Sequence, residues 1–489
     1  TLLAYLRQFV VPLIVLLVLG GGAWWQWVGL IAAPLLVVAS VVYALTFRYW
    51  LEGDALVLRS GLLMRQRRVL QLRRIQNIGR RQNLLHRVFG VTELQVESAG
   101  GVTSEAHMRV LTLAEADRLE RLLREAAALD AGPDDVDAAP LLQVPGADLV
   151  RLGLISNRGM VVVGAAFALL AQAGDSLERV AQPLASAVER LLGEFIARHS
   201  LDSTAAVLGI VLLVLLALAL VRLLSVAIAV LVFHDFRLCE RHGRFTADYG
   251  LLTRVRTSAT RIKIQKLWID ESLLHRMFGR VSIRLDVAGT EMANEGEGRR
   301  MRWLAPVCTA QQARTLVEAV LPGVDIDALD WCPVHPSARR RRFRRAALAL
   351  TLPVLVAAWL HSPWMLLILC ALPLLWLSAR GWALYSGHAL EAQVFAVRQG
   401  WLGRQVVLAR RDRAQVLLLA RSPFDRRHGT ATLEMDVAGG GQSARLRLPF
   451  VDFGIAQALF AQLSSLSLAA VPVASDPSFP AHETEVPIP

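Results

Sequence analysis

The chain has 489 residues, 54% of them apolar and only 19% charged, with a formal net charge of +12. Soluble domains run at about 45–50% apolar and about 25% charged. The apolar excess is gathered into a few long blocks, which excludes a purely soluble enzyme and a disordered scaffold and leaves room for roughly three domains of about 150 residues.

Six stretches are apolar enough to span a membrane, near 9–25, 27–46, 159–174, 205–233, 346–361 and 363–379. Several fall short of the ~20 residues of a typical span, but interfacial and turn residues mark where the chain reverses. Trp24, Trp25 and Trp27 stand at the first reversal, and His361-Ser362-Pro363 at the third. The segments therefore pair into three hairpins, at 1–46, 158–233 and 346–379. No small-x-small cleavage site ends the first stretch, so it reads as a retained helix.

Each hairpin returns the chain to the side it left. The three large polar segments, 47–128, 234–322 and 380–467, then share one compartment, joined by linkers at 129–157 and 323–345 and followed by a Pro-rich tail at 468–489. Charge names the side. The segment 175–204, between spans three and four, holds five acids against three arginines, and its Leu177, Val180, Leu184, Val188, Leu191 and Phe195 recur at helical spacing. It is expected to be an amphipathic helix on the outer membrane surface. The run Arg339-Arg340-Arg341-Arg342-Phe343-Arg344-Arg345 abuts span five on the other side. Positive charge resists translocation, so the polar segments are expected to be cytoplasmic and the membrane to be the plasma membrane.

The polar segments repeat. Shifted by 189, Gly61–Gly100 lies over Gly250–Gly289 without a gap, and 15 of 40 positions are identical. Gly61, Gln76, Arg87, Gly90 and Gly100 fall on Gly250, Gln265, Arg276, Gly279 and Gly289. Shifted by 339, the same five fall on Gly400, Gln415, Arg426, Gly429 and Gly439. The unit is a helical hairpin followed by a polar domain, three times over. Alternation in Thr92–Glu97 and Val281–Asp286 predicts strands. Each polar domain ends in a helix, with Thr112, Thr309 and Asp452 placed as N-caps and Leu119, Leu122, Leu123 and Ala126 forming the apolar stripe of the first. Several strands closed by one C-terminal helix make a small α+β barrel-like domain. Gly90 and Gly279 are expected at a turn that no Cβ fits.

The aliphatic-Gln pair, Leu-Leu-His-Arg-x-Phe-Gly and Ala-Gly-Gly, set after a membrane hairpin, resemble the bacterial PH-like, membrane-flanked domain. Three such units in a chain of this length look like the YdbT-like membrane proteins. The third repeat departs from the motif, with Pro423-Phe424-Asp425 in place of Leu-Leu-His and His428 in place of Phe. The resemblance implies a pleckstrin-homology fold for each polar domain, pairing with a smaller one-repeat relative, a loose link to envelope stress and antimicrobial-peptide tolerance, and no catalytic activity or cofactor.

Two groups of residues invite a function. Arg65, Arg67, Arg68, Arg73 and Arg74 cluster in the first repeat, near Arg80 and Arg81; Arg254, Arg256, Arg261, Lys263 and Lys266 are their counterparts in the second. Basic clusters beside a membrane attract anionic headgroups at about 1 kcal/mol per residue. Arg222 lies inside span four, 11 residues from Phe233 and so about 16 Å from that end. At that depth it either faces protein or water, or snorkels. His86 and His275 match in register, but no acid or Cys recurs beside them, so they read as turn histidines and not metal ligands. The four cysteines, Cys239, Cys308, Cys332 and Cys370, are scattered and are expected to be free thiols. Nucleic acid is not an expected partner, because topology already explains the charge. The expectation is a non-enzymatic polytopic membrane protein whose PH-like domains bind anionic lipid or a partner membrane protein. The alternative is a transporter or lipid-translocating protein whose path includes Arg222.

Overall fold

The computed structural model describes residues 48–60, 65–98, 106–126, 140–172, 203–287, 302–360, 363–437 and 445–469, together with Ser186 and Arg190. Two compact units divide the chain. One holds residues 1–326 and 402–404, the other 327–401 and 405–489.

The first repeat opens with an antiparallel meander of β1 (Arg48–Glu52), β2 (Ala55–Ser60) and β3 (Gln66–Gln71). A 3-10 turn, Leu72–Arg74, leads into a second meander. It runs through β4 (Ile75–Asn83), the short helix α1 (Leu84–Val88), β5 (Val91–Ser98) and β6 (Ala106–Thr112). Helix α2 (Leu113–Ala126) closes the domain. Leu56, Leu58, Leu70, Ile78, Leu94, Val96 and Met108 form one core with Ala116, Leu119 and Leu123. Two half-sheets thus share a single apolar interior plugged by one helix face. Leu122, expected on that face, is 39% exposed; the buried stripe runs through 116, 119 and 123 instead. The Tyr49 hydroxyl donates to Glu115 at 2.9 Å, tying β1 to α2. Burial, reinforced by the Glu115 carboxylate, pushes the phenol pKa up to about 12.

The second repeat begins inside the expected linker 129–157. A two-residue strand β7 (Leu142–Gln143) and helix α3 (Gly146–Ile155) precede α4 (Arg158–Gln172) and α5 (Ser203–Phe233). The sheet strands follow: β8 (Arg237–Arg241), β9 (Arg244–Tyr249), β10 (Thr253–Thr260) and β11 (Ile264–Glu271). Helix α6 (Leu273–Met277), β12 (Val281–Val287), β13 (Trp303–Cys308) and α7 (Ala310–Val320) complete the domain. The half-sheets join across repeats: β6-β5-β4-β10-β9-β8-β7 is one seven-stranded sheet. At its seam β4 and β10 run antiparallel with Thr253 opposite Asn83, Arg254 opposite Gln82, Val255 opposite Arg81 and Arg256 opposite Arg80.

The second unit repeats the plan. β14 (Cys332–Pro333) and α8 (Ser337–Leu360) take up about half of what was expected to be a basic linker. A 3-10 segment, Pro363–Ala371, runs into α9 (Leu372–Tyr385), so the expected domain boundary at 380 falls inside a helix. Then come β15 (Gly387–Leu390), β16 (Val394–Gly400) and β17 (Arg404–Arg410). A three-stranded sheet of β18 (Ala414–Ala420), β19 (Thr430–Val437) and β20 (Leu446–Asp452) follows, with α10 (Pro423–Arg427) between β18 and β19. Helix α11 (Phe453–Ala469) ends the domain.

The repeated residues have structural jobs. Gln76, Gln265 and Gln415 each sit at a register shift, where β4, β11 and β18 bulge against the next strand. Gly90, Gly279 and Gly429 all adopt a left-handed φ of +60° to +64°. A Cβ there would meet nothing within 4 Å, so backbone conformation sets the choice, not the lack of space expected from sequence. Gly250 is different: at φ +112° a Cβ would lie 2.0 Å from the Thr253 carbonyl oxygen. Gly400 also has positive φ. Gly61, Gly100, Gly289 and Gly439 lie outside the described residues. The expected caps all form. Thr309 makes a reciprocal box with Gln312, Thr112 accepts from the Glu115 amide, and Asp452 accepts from the Gly454 amide.

Of the six expected spans, two helices among the described residues are long and apolar enough to cross a membrane, Val211–Phe233 and Leu366–Tyr385. The expected spans 9–25 and 27–46 lie outside the described residues, as does most of the amphipathic segment 175–204. α4 has 15 residues, short of a full span, and α8 spends its first turns on arginines.

Candidate functional site

The two basic clusters occupy the same register but different surroundings. In the first repeat Arg65, Arg67 and Arg68 lie on or beside β3, exposed at the edge of its sheet. Arg67 bonds Glu52 at 2.9 Å and lies over the Trp50 ring, and Arg73 pairs with Asp54 at 3.0 Å. Arg74 lies in the 3-10 turn. Such exposed pairs are worth about 1 kcal/mol or less. In the second repeat the counterparts are drawn into the fold. Arg256 pairs with Asp248 at 3.4 Å, Arg261 bonds Glu240 and covers Phe245, and Lys263 is half-buried. Lys266 is 1% exposed, with its ammonium 5.8 Å from the Trp268 ring centre. Lys266 therefore drops out as a headgroup contact. Its strand is covered on both faces, which alternation alone does not reveal.

The seam between β4 and β10 opens a cavity of about 640 Å³. Four arginines line it: Arg80 from β4, Arg237 from β8, and Arg254 and Arg256 from β10. Three are each engaged by one acid. Arg80 pairs with Asp117 at 2.5 Å, Arg237 with Asp235 at 3.0 Å and Arg256 with Asp248. Arg254 is exposed and has no ion pair among the described residues. His234 and Asp235, which also line the cavity, directly follow the last residue of α5. The site is a basic basin at the foot of an apolar helix, where an anion meets fixed guanidinium groups with a fork geometry suited to phosphate. Arg254 and Arg256 were legible as candidates. Arg237 was not, although its register counterpart in the first repeat, Arg48, is also an arginine.

Arg222 faces protein. Its Nη1 donates to the carbonyls of Leu154 and Ser156 and to Asn157 Oδ1, each at 3.2 Å. The guanidinium caps the C-terminal end of α3, where the helix dipole favours a cation. The neighbouring Ser225 is fully buried and accepts from the Gly159 amide at 2.8 Å. A Cβ on Gly153 would lie 2.3 Å from Val226, so α3 packs closely along the lower half of α5. Exposed apolar side chains of α5 run from Leu208 past Arg222 to Leu223. The helix has 31 residues, about 46 Å at 1.5 Å per residue, against a hydrocarbon core of about 30 Å.

Buried charges also tie each juxtamembrane helix to its sheet domain. In the first unit Asp148 of α3 bonds Arg151 at 2.5 Å and Arg280, just ahead of β12, at 3.0 Å. In the second unit Arg341 of α8 bonds Asp425 of α10 at 2.7 Å, and the two side chains are 4% and 8% exposed. Arg342 and Arg345 of the same basic run stack on Trp382 and Phe450. None of these contacts was read from sequence, where the run served only as a marker of sidedness. The repeated arginine of the turn motif is a latch. Arg87 donates to the Leu251 carbonyl across the β4–β10 seam at 3.2 Å, and Arg276 donates to the Leu402 carbonyl at 3.1 Å.

The bacterial PH domain family matches residues 2–127, 187–321 and 346–467. The chain belongs to that family. The three matches coincide with the three repeats, and the first and third take in the apolar stretches ahead of their sheet domains. The chain is also 21% identical over 469 residues to the UPF0699 transmembrane protein YdbT of Bacillus subtilis (strain 168), with 91% of each chain covered. No solved structure matches it. A triplicated bacterial PH-domain membrane protein of the YdbT-like kind is therefore established. Among the described residues, apolar helices precede the second and third sheet domains.

Proposed function

We propose that this is a non-enzymatic, multi-pass protein of the bacterial plasma membrane, with its PH-like domains in the cytoplasm, and that the seam cavity receives an anionic lipid headgroup. The observation that carries the reading is four arginines around one cavity, with two lining residues that follow α5 directly. A phosphate there gains fixed donors without crossing to another part of the protein. Arg65, Arg67 and Arg68 add a second, more exposed attraction on β3. The translocation reading loses its motivating residue, because three acceptors in the α3–α4 corner hold Arg222. A smaller one-repeat relative remains the proposed protein partner.

The test is lipid retention. Full-length protein in nanodiscs of mixed anionic and zwitterionic lipid should enrich anionic lipid, and high salt should weaken the enrichment, since exposed charges are screened beyond about 8–10 Å at physiological ionic strength. Arg254→Ser with Arg237→Ser should cut it by roughly thirtyfold, at about 1 kcal/mol per residue. Equal retention of neutral and anionic lipid, or no change in the double variant, sinks the headgroup reading.

A further inference from the structure

The β4–β10 seam is an interface between repeats whose two halves recur at the ends of the repeat series. One half is the strand that follows the 3-10 turn, and the other is the last strand of the next repeat's first meander. Besides its four register pairs, the seam holds a Thr253–Asn83 side-chain bond of 3.0 Å and the Arg87 latch. By register, β3 is the first-repeat counterpart of β10, and β18 is the third-repeat counterpart of β4. Each is the terminal strand of a three-stranded sheet: β1-β2-β3 and β18-β19-β20.

The two edges differ in chemistry. β18 reads Ala-Gln-Val-Leu-Leu-Leu-Ala with no charge, and Val416 and Leu418 are 58% and 47% exposed. At β4 the counterparts of Leu417 and Leu418, Ile78 and Gly79, are buried. An exposed apolar edge invites strand addition, and proteins normally shield one with charge or a cover. β3 is a strand of Gln and Arg with Val69 57% exposed. Arg426, the third-repeat counterpart of the Arg87 latch, is exposed and makes no such bond among the described residues.

We propose that the chain docks a second copy of itself head to tail, with β18 of one molecule adding to β3 of the next. The seam supplies the register. Arg254 opposite Gln82, Val255 opposite Arg81 and Arg256 opposite Arg80 translate into Arg65 opposite Arg421, Gln66 opposite Ala420 and Arg67 opposite Leu419. The like-charged pair is tolerable. Arg421 lies over the Phe453 ring at 3.7 Å, and the seam itself already sets Arg256 opposite Arg80. The two edges are different surfaces, so the contact is heterologous and builds a ring or a row rather than a two-fold dimer. Strand addition supplies the backbone bonds, and alternate side chains supply the fit.

The experiment uses the full-length chain in native membranes, with Cys239, Cys332 and Cys370 changed to Ser and Cys308 to Ala. Cells carrying Gln66→Cys together with Ala420→Cys are treated with a short bifunctional thiol reagent. A ladder of dimer and larger species is expected. Either cysteine alone should give none, and Gln66→Cys with Val416→Cys, which is out of register, should give several-fold less. Adding Val416→Lys and Leu418→Lys should abolish the ladder while membrane yield and melting stay unchanged, since both side chains are exposed. A cross-link confined within one chain, or one from Ala420→Cys alone, overturns the head-to-tail arrangement. So does a protein that is monomeric by mass at every concentration, or a ladder that survives the two lysines. A band containing a different polypeptide instead of a second copy also overturns it.

Discussion

In the second repeat the turn after β11 is organised by His275; in the third the turn after β18 is organised by Asp425 at the same register position. His275 Nδ1 meets the Ser272 amide at 3.2 Å and the Ser272 hydroxyl at 2.8 Å, while Nε2 meets Ser282 Oγ at 2.9 Å. The Ser282 hydroxyl already donates to the Pro306 carbonyl at 2.6 Å, so Nε2–H donates and Nδ1 accepts. The neutral imidazole satisfies both neighbours, and burial lowers its pKa against a smaller opposing pull from Asp270. Asp425 accepts from the Ser422 amide at 2.9 Å, the Ser422 hydroxyl at 2.5 Å, Thr430 at 3.0 Å and Arg341 at 2.7 Å. Burial alone would raise its pKa; the donors of Ser422, Arg341 and Thr430 outweigh it and hold the carboxyl well below the usual range. A neutral group closes the turn by itself. A carboxylate must bring in a cation, and here that cation comes from the juxtamembrane helix. The same task is thus linked to the membrane helix in one repeat and local in the other, where α3 instead carries the acid that Arg280 meets.

The largest expected effect separates the two turns directly. Arg341→Met leaves Asp425 buried without its cation and should cost about 3–5 kcal/mol, the usual result of breaking a buried pair from one side. Adding Asp425→His converts the third turn to the second type and should restore most of the loss. Thermal melting and limited proteolysis of β19 and β20 give the readout, and a double variant as unstable as the single one would mean that the pair does more than close a turn.

Much of this comparison rests on what sequence carries and what it does not. The repeat, the turn motif, the helix caps and the departure at Pro423-Phe424-Asp425 were legible, because each is a local pattern at fixed spacing. The partner of Asp425 was not. Arg341 is 84 residues away, within a run of six arginines whose shared reading is sidedness. The seam was also hidden, since pairing between β4 and β10 leaves no periodicity in either strand. Lys266 failed as a surface cation for the same reason: strand alternation describes one face, and only packing shows that both are covered. Arg222 was legible as unusual, but its acceptors at Leu154, Ser156 and Asn157 belong to a stretch read as linker.

The next effect is a difference in pH response. The His275 pKa is lowered in the fold, so its stabilising share is fully present above the unfolded value of about 6.5 and is lost as pH falls below it. The Asp425 pKa is depressed, so its share is present above about 3.9 and is lost only as pH falls further. Between pH 6.5 and 4.5 the second repeat should loosen while the third holds. Amide exchange in β12 should quicken relative to β19 on going from pH 7.5 to 5. His275→Gln keeps the capping-box geometry without a titrating group and should flatten the response. Equal acceleration in both strands would dissolve the distinction.

The caps grade the same contrast more finely. Ser272→Ala should cost about 1 kcal/mol, the ordinary price of a lost N-cap. Ser422→Ala also removes a charge-assisted bond to the carboxylate and should cost about 2 kcal/mol, because such bonds are worth about twice a neutral one. Urea melts of the two variants compare them, and an equal loss would show that the short contact to Asp425 adds nothing.

The smallest effect belongs to the part of the turn that both chemistries share. Gly90, Gly279 and Gly429 donate their amides to the carbonyls of Arg87, Arg276 and Arg426 and hold the same left-handed φ, with open space around each Cα. Ala at any of the three should cost about 1 kcal/mol from backbone strain alone, and Asn, which visits that region readily, should cost less. Since no neighbour is struck, the three losses should agree whether the turn rests on His86, His275 or Asp425. If Gly429→Ala proved far worse than Gly279→Ala, the strain would be coupled to the Arg341–Asp425 pair. The backbone of the turn, and not only its central side chain, would then differ between the repeats.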